Sequence, residues 1–119
     1  MVYWITGRKN SGKTTLAYRL KAQIPNSVVV DGDEVRGLWK GGFTDEARVK
    51  NLQTITKIAL LLERQGHTVI IACVSPKRAW RKNFQAKFEK CIEICMPFGE
   101  LWEGTDFEEP LYGGQDEAV

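Results

Sequence analysis

The stretch Gly7-Arg8-Lys9-Asn10-Ser11-Gly12-Lys13-Thr14-Thr15 decides how the rest of the chain is interpreted. It fits the phosphate-binding loop pattern G-x-x-x-x-G-K-[ST] at every fixed position. A short β-prone run at residues 2–6 precedes it, and the start of an amphipathic helix follows it. Because a phosphate chain needs close approach to the backbone, glycine stands where a side chain would obstruct it. The stretch therefore predicts a strand, a triphosphate-binding loop and a helix.

The loop also predicts which residues hold the nucleotide and its metal ion. Lys13 would place a positive charge at the β- and γ-phosphates, and the Thr14 hydroxyl would hold Mg²⁺. A nucleoside triphosphate is then the expected ligand, and Mg²⁺ is the expected cofactor. The predicted nucleotide-binding residues, which become the ATP site under the family resemblance described below, are Gly7, Asn10, Ser11, Gly12, Lys13, Thr14 and Thr15.

Length and composition favour one small soluble domain. The 119 residues are 43% hydrophobic and carry a net charge of +2, which creates no global demand for nucleic acid or a membrane. No apolar run approaches the length that a bilayer requires, and no leader is recognisable, so we expect a cytoplasmic protein. Residues 1–119 are interpreted as a single domain whose last residues, 111–119, form a loose tail. The three cysteines lie in apolar runs and are expected to be buried thiols, without a metal site.

Downstream of the loop, helices and apolar strands alternate. The strands lack polar alternation, which is typical of parallel strands that are covered on both faces. We expect an α/β fold with helices on both faces of a parallel sheet of about four strands, the first strand lying near the centre beside the third. The expected elements are a helix at 13–23, a strand at 27–30, a helical turn at 34–39, a helix at 44–65, a strand at 68–74, a helix capped by Ser75 with Pro76 in its first turn, and a buried strand at 91–96.

Two carboxylates, Asp31 and Asp33, follow the second strand directly. Ligands bind at the carboxyl ends of strands in open α/β sheets, so this D-G-D turn is a candidate site. The alternative is a simple turn that favours Asp and Gly. Further along, Arg48 and Asn51 lie one turn apart on the long helix, either at the site or on a solvated face.

A basic block runs through the last helix. Trp80, Phe84 and Phe88 repeat at four-residue spacing and form a predicted core stripe, while the basic residues occupy mostly the other positions. The simplest interpretation is a solvated face; the alternative is binding of phosphate or nucleic acid. The residues of this block are Lys77, Arg78, Arg81, Lys82, Lys87 and Lys90.

Four motifs together resemble one family. The loop GRKNSGKTT, then VVDGDEVRGL, GGFTDEARVKN and VIIACVSPKRAWR, strongly resemble the corresponding segments of adenylylsulfate kinases (APS kinases) over residues 3–96. The resemblance implies a three-layer P-loop NTPase fold. It also implies transfer of the γ-phosphate of ATP to the 3′-hydroxyl of adenosine 5′-phosphosulfate (APS).

Carried over by position, the resemblance assigns roles to individual residues. Lys13, Asp33 and Asp31 become the catalytic set. Because an acceptor hydroxyl needs a carboxylate within hydrogen-bond reach, we expect Asp33 to be the base and Asp31 to support Mg²⁺; the alternative is that the two aspartates exchange these roles. Thr14 and Asp31 become the Mg²⁺ ligands. The predicted acceptor-binding residues are Arg36, Phe43, Arg48, Asn51, Val74, Ser75 and Trp102. Phe43 would stack on the adenine, and Trp102 either faces Phe43 across the adenine or is a core residue.

The sequence also departs from the family pattern. No segment matches the arginine- and lysine-rich lid that follows the fourth strand in APS kinases, so we expect a short form without this lid. A lid excludes water and supplies positive charge around the phosphoryl group during its transfer. Its loss therefore leaves three alternatives open for the function. These are a lidless APS kinase, a kinase of another nucleotide, nucleic-acid end or modified base, and a non-catalytic ATP-binding module. Arg8 and Lys9, or Arg78 and Arg81, are candidates to replace the lid's charge. The expected partner is a small nucleotide, and a homodimer is also considered.

Overall fold

The computed structural model describes residues 1–39, 42, 44–97, 107 and 108. Within them the chain alternates strands and helices, as the apolar pattern predicts. The elements are β1 (Val2–Thr6), α1 (Lys13–Gln23), β2 (Ser27–Asp31), α2 (Gly32–Trp39), α3 (Asp45–Arg64), β3 (Thr68–Ala72), α4 (Arg78–Gln85) and β4 (Cys91–Cys95).

The four strands form one parallel sheet in the order β2-β3-β1-β4. Tyr3 of the central strand β1 is paired with Ile70 of β3 on one side and with Ile92 of β4 on the other. The predicted strand order, with the first strand beside the third, is confirmed. Because the strands are parallel, the carboxyl ends of β1, β2 and β3 lie side by side at one end of the sheet. The phosphate loop and the D-G-D turn also lie there.

Helices cover both faces of the sheet, which confirms the predicted α/β architecture. Successive side chains of a strand point to opposite faces. Trp4 of β1 accordingly lies in a core with Leu52 of α3 and Phe84 of α4. Its neighbour Ile5 lies in a second core with Ala17 of α1. The apolar strands without polar alternation are therefore explained by burial on two sides.

The long helix α3 has the ends that its sequence predicts. The Thr44 hydroxyl accepts a hydrogen bond from the N–H of Ala47 at 3.2 Å, which caps the first turn. At the other end Gly66 has a φ of 89°, the left-handed conformation that glycine adopts without steric cost. Both ends of α3 are thus determined by residues close in sequence.

Strand β4 is less buried than predicted. It pairs only with β1 among the described strands, and Ile92 is exposed. Cys91 and Cys95 are half-buried, whereas Cys73 is buried, and none of these three cysteines forms a disulfide bond. The prediction of a buried fourth strand was therefore wrong, as was the prediction of buried thiols for Cys91 and Cys95, because an edge strand has one neighbour instead of two.

The start of α4 also differs from prediction. The helix begins at Arg78, and Ser75 does not cap it. The Ser75 hydroxyl instead accepts a hydrogen bond from Trp4 Nε1 at 3.1 Å and lies 3.1 Å from Thr6 Oγ1. The first-turn N–H of Arg78 donates to the Glu108 carboxylate at 2.9 Å. A distant carboxylate therefore supplies the cap that local sequence assigned to Ser75.

Arg81 corrects the interpretation of the basic block as a solvated face. Phe84 and Phe88 are buried, as the aromatic stripe predicts, but Arg81 is also only 1% exposed. Because its guanidinium is bonded inside the fold, Arg81 is not a replacement for the positive charge of a lid.

None of the helices in the described part of the chain combines the length and apolar character needed to cross a membrane.

Candidate functional site

The loop between β1 and α1 has the conformation of an anion-binding turn. Asn10 and Gly12 both have left-handed φ angles, 57° and 91°. Gly12 is the N-cap of α1 and provides no side-chain hydrogen bond, so the first-turn N–H groups face the cleft without a side-chain cap. A β-carbon on Gly7 would lie 2.9 Å from the Met96 β-carbon, which explains the glycine at that position. Exposed N–H groups at a helix N-terminus are suited to phosphate.

Lys13 reaches back over this loop. Its Nζ donates to the Arg8 carbonyl at 2.7 Å and to the Ser11 hydroxyl at 3.4 Å. Burial lowers the pKa of the Lys13 ammonium, and the nearby Cys73, Asp33 and Asp31 partly oppose this shift. The ammonium is therefore held in a partly desolvated position, where a bound anion would compensate its charge.

Thr14 and Asp31 meet at the carboxyl end of β2. The Thr14 hydroxyl donates to Asp31 Oδ2 at 2.7 Å. Asp31 Oδ1 accepts from the N–H of Asp33 at 2.8 Å, and this bond fixes the carboxylate on the first turn of α2. A hydroxyl and a carboxylate are hard oxygen donors of the kind that Mg²⁺ selects, and few protein ligands suffice because the ion retains waters and phosphate oxygens. The donor set therefore fits Mg²⁺.

The second carboxylate of the turn has a different environment. Asp33 is 84% exposed on the first turn of α2, and its Oδ1 accepts from Arg36 Nη1 at 3.0 Å. Asp31, in contrast, is buried and uses both oxygens within the fold. Of the two, Asp33 is the carboxylate that an incoming molecule can reach.

These groups line one open cleft of about 420 Å³. Its walls come from the phosphate loop, the D-G-D turn and the end of β3, so three separate segments of sequence meet here. The lining residues are Lys9, Asn10, Ser11, Gly12, Lys13, Thr14, Thr15, Asp31, Gly32, Asp33, Arg36, Ala72, Cys73 and Val74. Every predicted ATP-binding residue except Gly7 is among them.

A second, narrower cleft continues from the first. It brings together all of the predicted acceptor-binding residues that the structure describes, and the two clefts share Arg36, Cys73 and Val74. Asn51 is buried, and its amide donates to the Gly32 carbonyl at 3.1 Å, which ties α3 to the D-G-D turn. The lining residues are Arg36, Arg48, Asn51, Leu52, Cys73, Val74, Ser75 and Pro76.

Two predicted residues, Phe43 and Trp102, lie outside the described residues, as does the tail at 111–119. One residue at the junction of the clefts was missed. Cys73 lines both clefts, and burial raises the pKa of its thiol to about 12, so it is a neutral wall residue at neutral pH. Its position directly after β3, at the carboxyl end of a parallel strand, was the available signal.

The chain is similar to proteins of one family. The family model of adenylylsulphate kinase matches residues 1–108. An adenylyl-sulfate kinase of Myxococcus xanthus is 39% identical over 106 residues, which cover 85% of this chain and 56% of that protein. The structure of the Mycobacterium tuberculosis APS kinase CysC in complex with AMPPNP and APS has a TM-score of 0.68 and 29% identity, covering 80% of this chain and 61% of that one.

A relative from Bacillus subtilis is longer than this chain within the region that the two share. This probable adenylyl-sulfate kinase is 33% identical over 134 residues, covering 97% of this chain and 68% of that protein. Because the aligned region is longer than the 119 residues of this chain, the relative has internal residues with no counterpart here. The chain spans little more than half the length of the Myxococcus xanthus protein. The match over residues 1–108 nevertheless covers both clefts, and the chain belongs to the adenylylsulphate kinase family.

Proposed function

We propose that the protein transfers the γ-phosphate of ATP to the 3′-hydroxyl of APS. The observation that carries this proposal is the continuity of the two clefts through Arg36, Cys73 and Val74. A triphosphate bound on the phosphate loop would point its last phosphate towards the second cleft. A nucleotide bound there would present its hydroxyl to the same junction. Phosphoryl transfer depends mainly on such in-line positioning and on positive charge around the moving group.

In this proposal the loop binds the donor. The first-turn N–H groups of α1 hold phosphate oxygens, and Lys13 exchanges its bond to the Arg8 carbonyl for one to the β- or γ-phosphate. Thr14 and Asp31 would hold Mg²⁺, which neutralises charge on the β- and γ-phosphate oxygens when bound. Asp31 is already oriented by the N–H of Asp33.

The acceptor is bound and activated from the other side. Asp33 takes the proton of the 3′-hydroxyl, since it is the exposed carboxylate of the turn. Arg36 and Arg48 bind the phosphosulfate, because planar guanidinium groups recognise such oxyanions with paired hydrogen bonds. Asn51 fixes the D-G-D turn through Gly32, and the Val74–Ser75 backbone contacts the adenine. Phe43 and Trp102 stay predicted adenine contacts.

We also propose how this chain differs from longer relatives and where it acts in the cell. We propose a short form without a lid, and the longer aligned region of the Bacillus subtilis relative supports it. A cytoplasmic setting is supported by Cys73, Cys91 and Cys95, none of which forms a disulfide bond. A homodimer stays a prediction that light scattering can test.

The experiment is a transfer assay with γ-labelled ATP and Mg²⁺ against APS, nucleosides and short oligonucleotides. We expect the label in APS, with little in the other acceptors. Label in an oligonucleotide instead would favour a kinase of nucleic-acid ends. ATP binding without transfer to any acceptor would favour a non-catalytic module.

A further inference from the structure

Arg81 of α4 is the most deeply buried charged side chain of the described residues, at 1% exposure. A buried guanidinium is costly unless it is paired and hydrogen-bonded. Its Nε lies 3.4 Å from Glu93 Oε2 on β4, and its Cζ lies 5.0 Å from the centre of the Phe107 ring. Arg81 therefore joins α4, the edge strand and the segment at 107–108.

The remaining bonds of Arg81 lead to the second cleft. Its Nη1 donates to the Ser75 carbonyl at 2.8 Å, and its Nη2 donates to the Glu108 carbonyl. Glu108 returns to the same turn, because its N–H donates to the Pro76 carbonyl at 2.7 Å and its side chain caps Arg78. Arg81 and Glu108 thus hold the turn that connects β3 to α4 through bonds that come from α4 and from the segment at 107–108.

This turn has a conformation that needs support. Ser75 has a φ of 40°, in the left-handed region that a residue other than glycine rarely adopts. Such a conformation persists only where the surroundings enforce it, and it is frequent at functional sites. On the β1 side, Trp4 and Thr6 are hydrogen-bonded to the Ser75 hydroxyl. Val74, Ser75 and Pro76 are also the residues that line the second cleft from this side.

We propose that Arg81, together with Glu108, is a positioning residue that holds the turn at 74–76 in its acceptor-binding conformation. This inference rests on the proposed function for the identity of the acceptor. Arg81 lines neither cleft and acts through the Ser75 carbonyl. Its loss should therefore affect the acceptor much more than ATP, whose phosphates are bound by the loop at residues 7–15.

Two measurements on Arg81→Lys, Glu108→Ala and the control Lys82→Met test this. Lys82 is exposed on the same helix, so its variant removes a positive charge without removing the network. In steady-state kinetics we expect the KM for APS to rise by about tenfold in Arg81→Lys and less in Glu108→Ala, with the KM for ATP within about twofold of wild type. In amide hydrogen exchange, the peptide over residues 73–80 should exchange about tenfold faster, while β1 and β3 keep their protection.

The two measurements separate this inference from the proposed function. An active wild type with an unchanged KM for APS in both variants would overturn the positioning role, whatever the loss of thermal stability. Exchange that accelerates equally in all strands would overturn it too, since that is the signature of general destabilisation. A wild type that phosphorylates no APS contradicts the proposed function alone, and exchange confined to 73–80 would then still support the role of Arg81. Glu108→Ala keeps the test decisive if Arg81→Lys does not fold.

Discussion

Lys13 is held by the fold in a position that disfavours its own charge. Burial lowers the pKa of the ammonium below its ordinary value of 10.5. Between the lowered value and 10.5 the unfolded chain binds more protons than the folded one, so this group makes stability rise with pH in that window. At neutral pH the ionised side chain therefore opposes folding of the free protein, and a bound phosphate chain would remove this opposition.

Lys13→Met removes this charge and tests both its cost to folding and its contribution to ATP binding. We expect the melting temperature of the free protein at pH 7 to be unchanged or higher, and this difference from wild type to shrink as the pH rises towards 10.5. The affinity for ATP should fall by about 10- to 100-fold, since a hydrogen bond to a charged group contributes about 1.5–3 kcal/mol. Thermal shift with and without ATP measures both. Lys57→Met, exposed on α3, is the control that should change neither.

The two aspartates of the D-G-D turn should respond differently to the same substitution. Asp33→Asn should lower kcat by about 10²- to 10⁴-fold with little change in stability, because the exposed carboxylate is the proposed base. Asp31→Asn should also lower the melting temperature, since Asp31 accepts bonds from Thr14 and from the Asp33 N–H. Kinetics and thermal unfolding of both variants check this. Full activity in Asp33→Asn would show that the base is another group.

Single residues were predictable where a motif fixes their spacing. The phosphate loop and the D-G-D turn identified Lys13, Thr14 and Asp31, and the structure brings these three together. Arg81 was not predictable, because its bonds go to the Ser75 and Glu108 carbonyls, which no local spacing identifies. A basic residue beside an aromatic stripe can lie in solvent or turn inwards, and the sequence pattern is the same in both cases.

At the scale of elements, α2 packs its first turn tightly against β3. A β-carbon on Gly32 would lie 2.9 Å from the Cys73 β-carbon, whereas one on Gly37 of the same helix would meet nothing within 4 Å. The close approach at Gly32 brings the D-G-D turn against the end of β3. The distance between the two walls of the first cleft therefore depends on Gly32 having no β-carbon.

The third prediction compares alanine at these two glycines. Gly32→Ala should destabilise the fold by about 1–3 kcal/mol, because the added methyl forces α2 away from β3. Gly37→Ala should stabilise it by about 0.5–1 kcal/mol, since alanine costs less than glycine inside a helix. Urea unfolding of both variants measures the difference. Equal effects of the two substitutions would contradict the close packing at Gly32.

Elements were predictable when their signals were local. The bounds of α1 and the capping of α3 by Thr44 follow from loop and cap residues close in sequence. The exposure of β4 and the late start of α4 depend on strand order and on Glu108, which lie far apart in the chain. Local patterns predict an element, whereas its burial and its ends depend on neighbours that only the fold supplies.

At the scale of the whole molecule, the charge distribution bears on the nature of the acceptor. Arg81 is internal, so the basic block contributes fewer cations to the surface than its sequence suggests. We predict that short oligonucleotides bind weakly at low salt and that binding vanishes near physiological salt. Fluorescence anisotropy over a salt series measures this. Tight binding with a steep salt dependence would instead favour a nucleic-acid acceptor.

Our central proposal is that one continuous pair of clefts binds both nucleotides and directs the γ-phosphate of ATP to the acceptor hydroxyl. Phosphorus NMR of the protein with ATP, Mg²⁺ and APS tests it most directly, because it separates transfer to a hydroxyl from hydrolysis. We predict that a new 3′-phosphomonoester signal grows in step with ADP and that Lys13→Met produces neither. ADP accompanied by inorganic phosphate, with no new phosphoester, would contradict the claim.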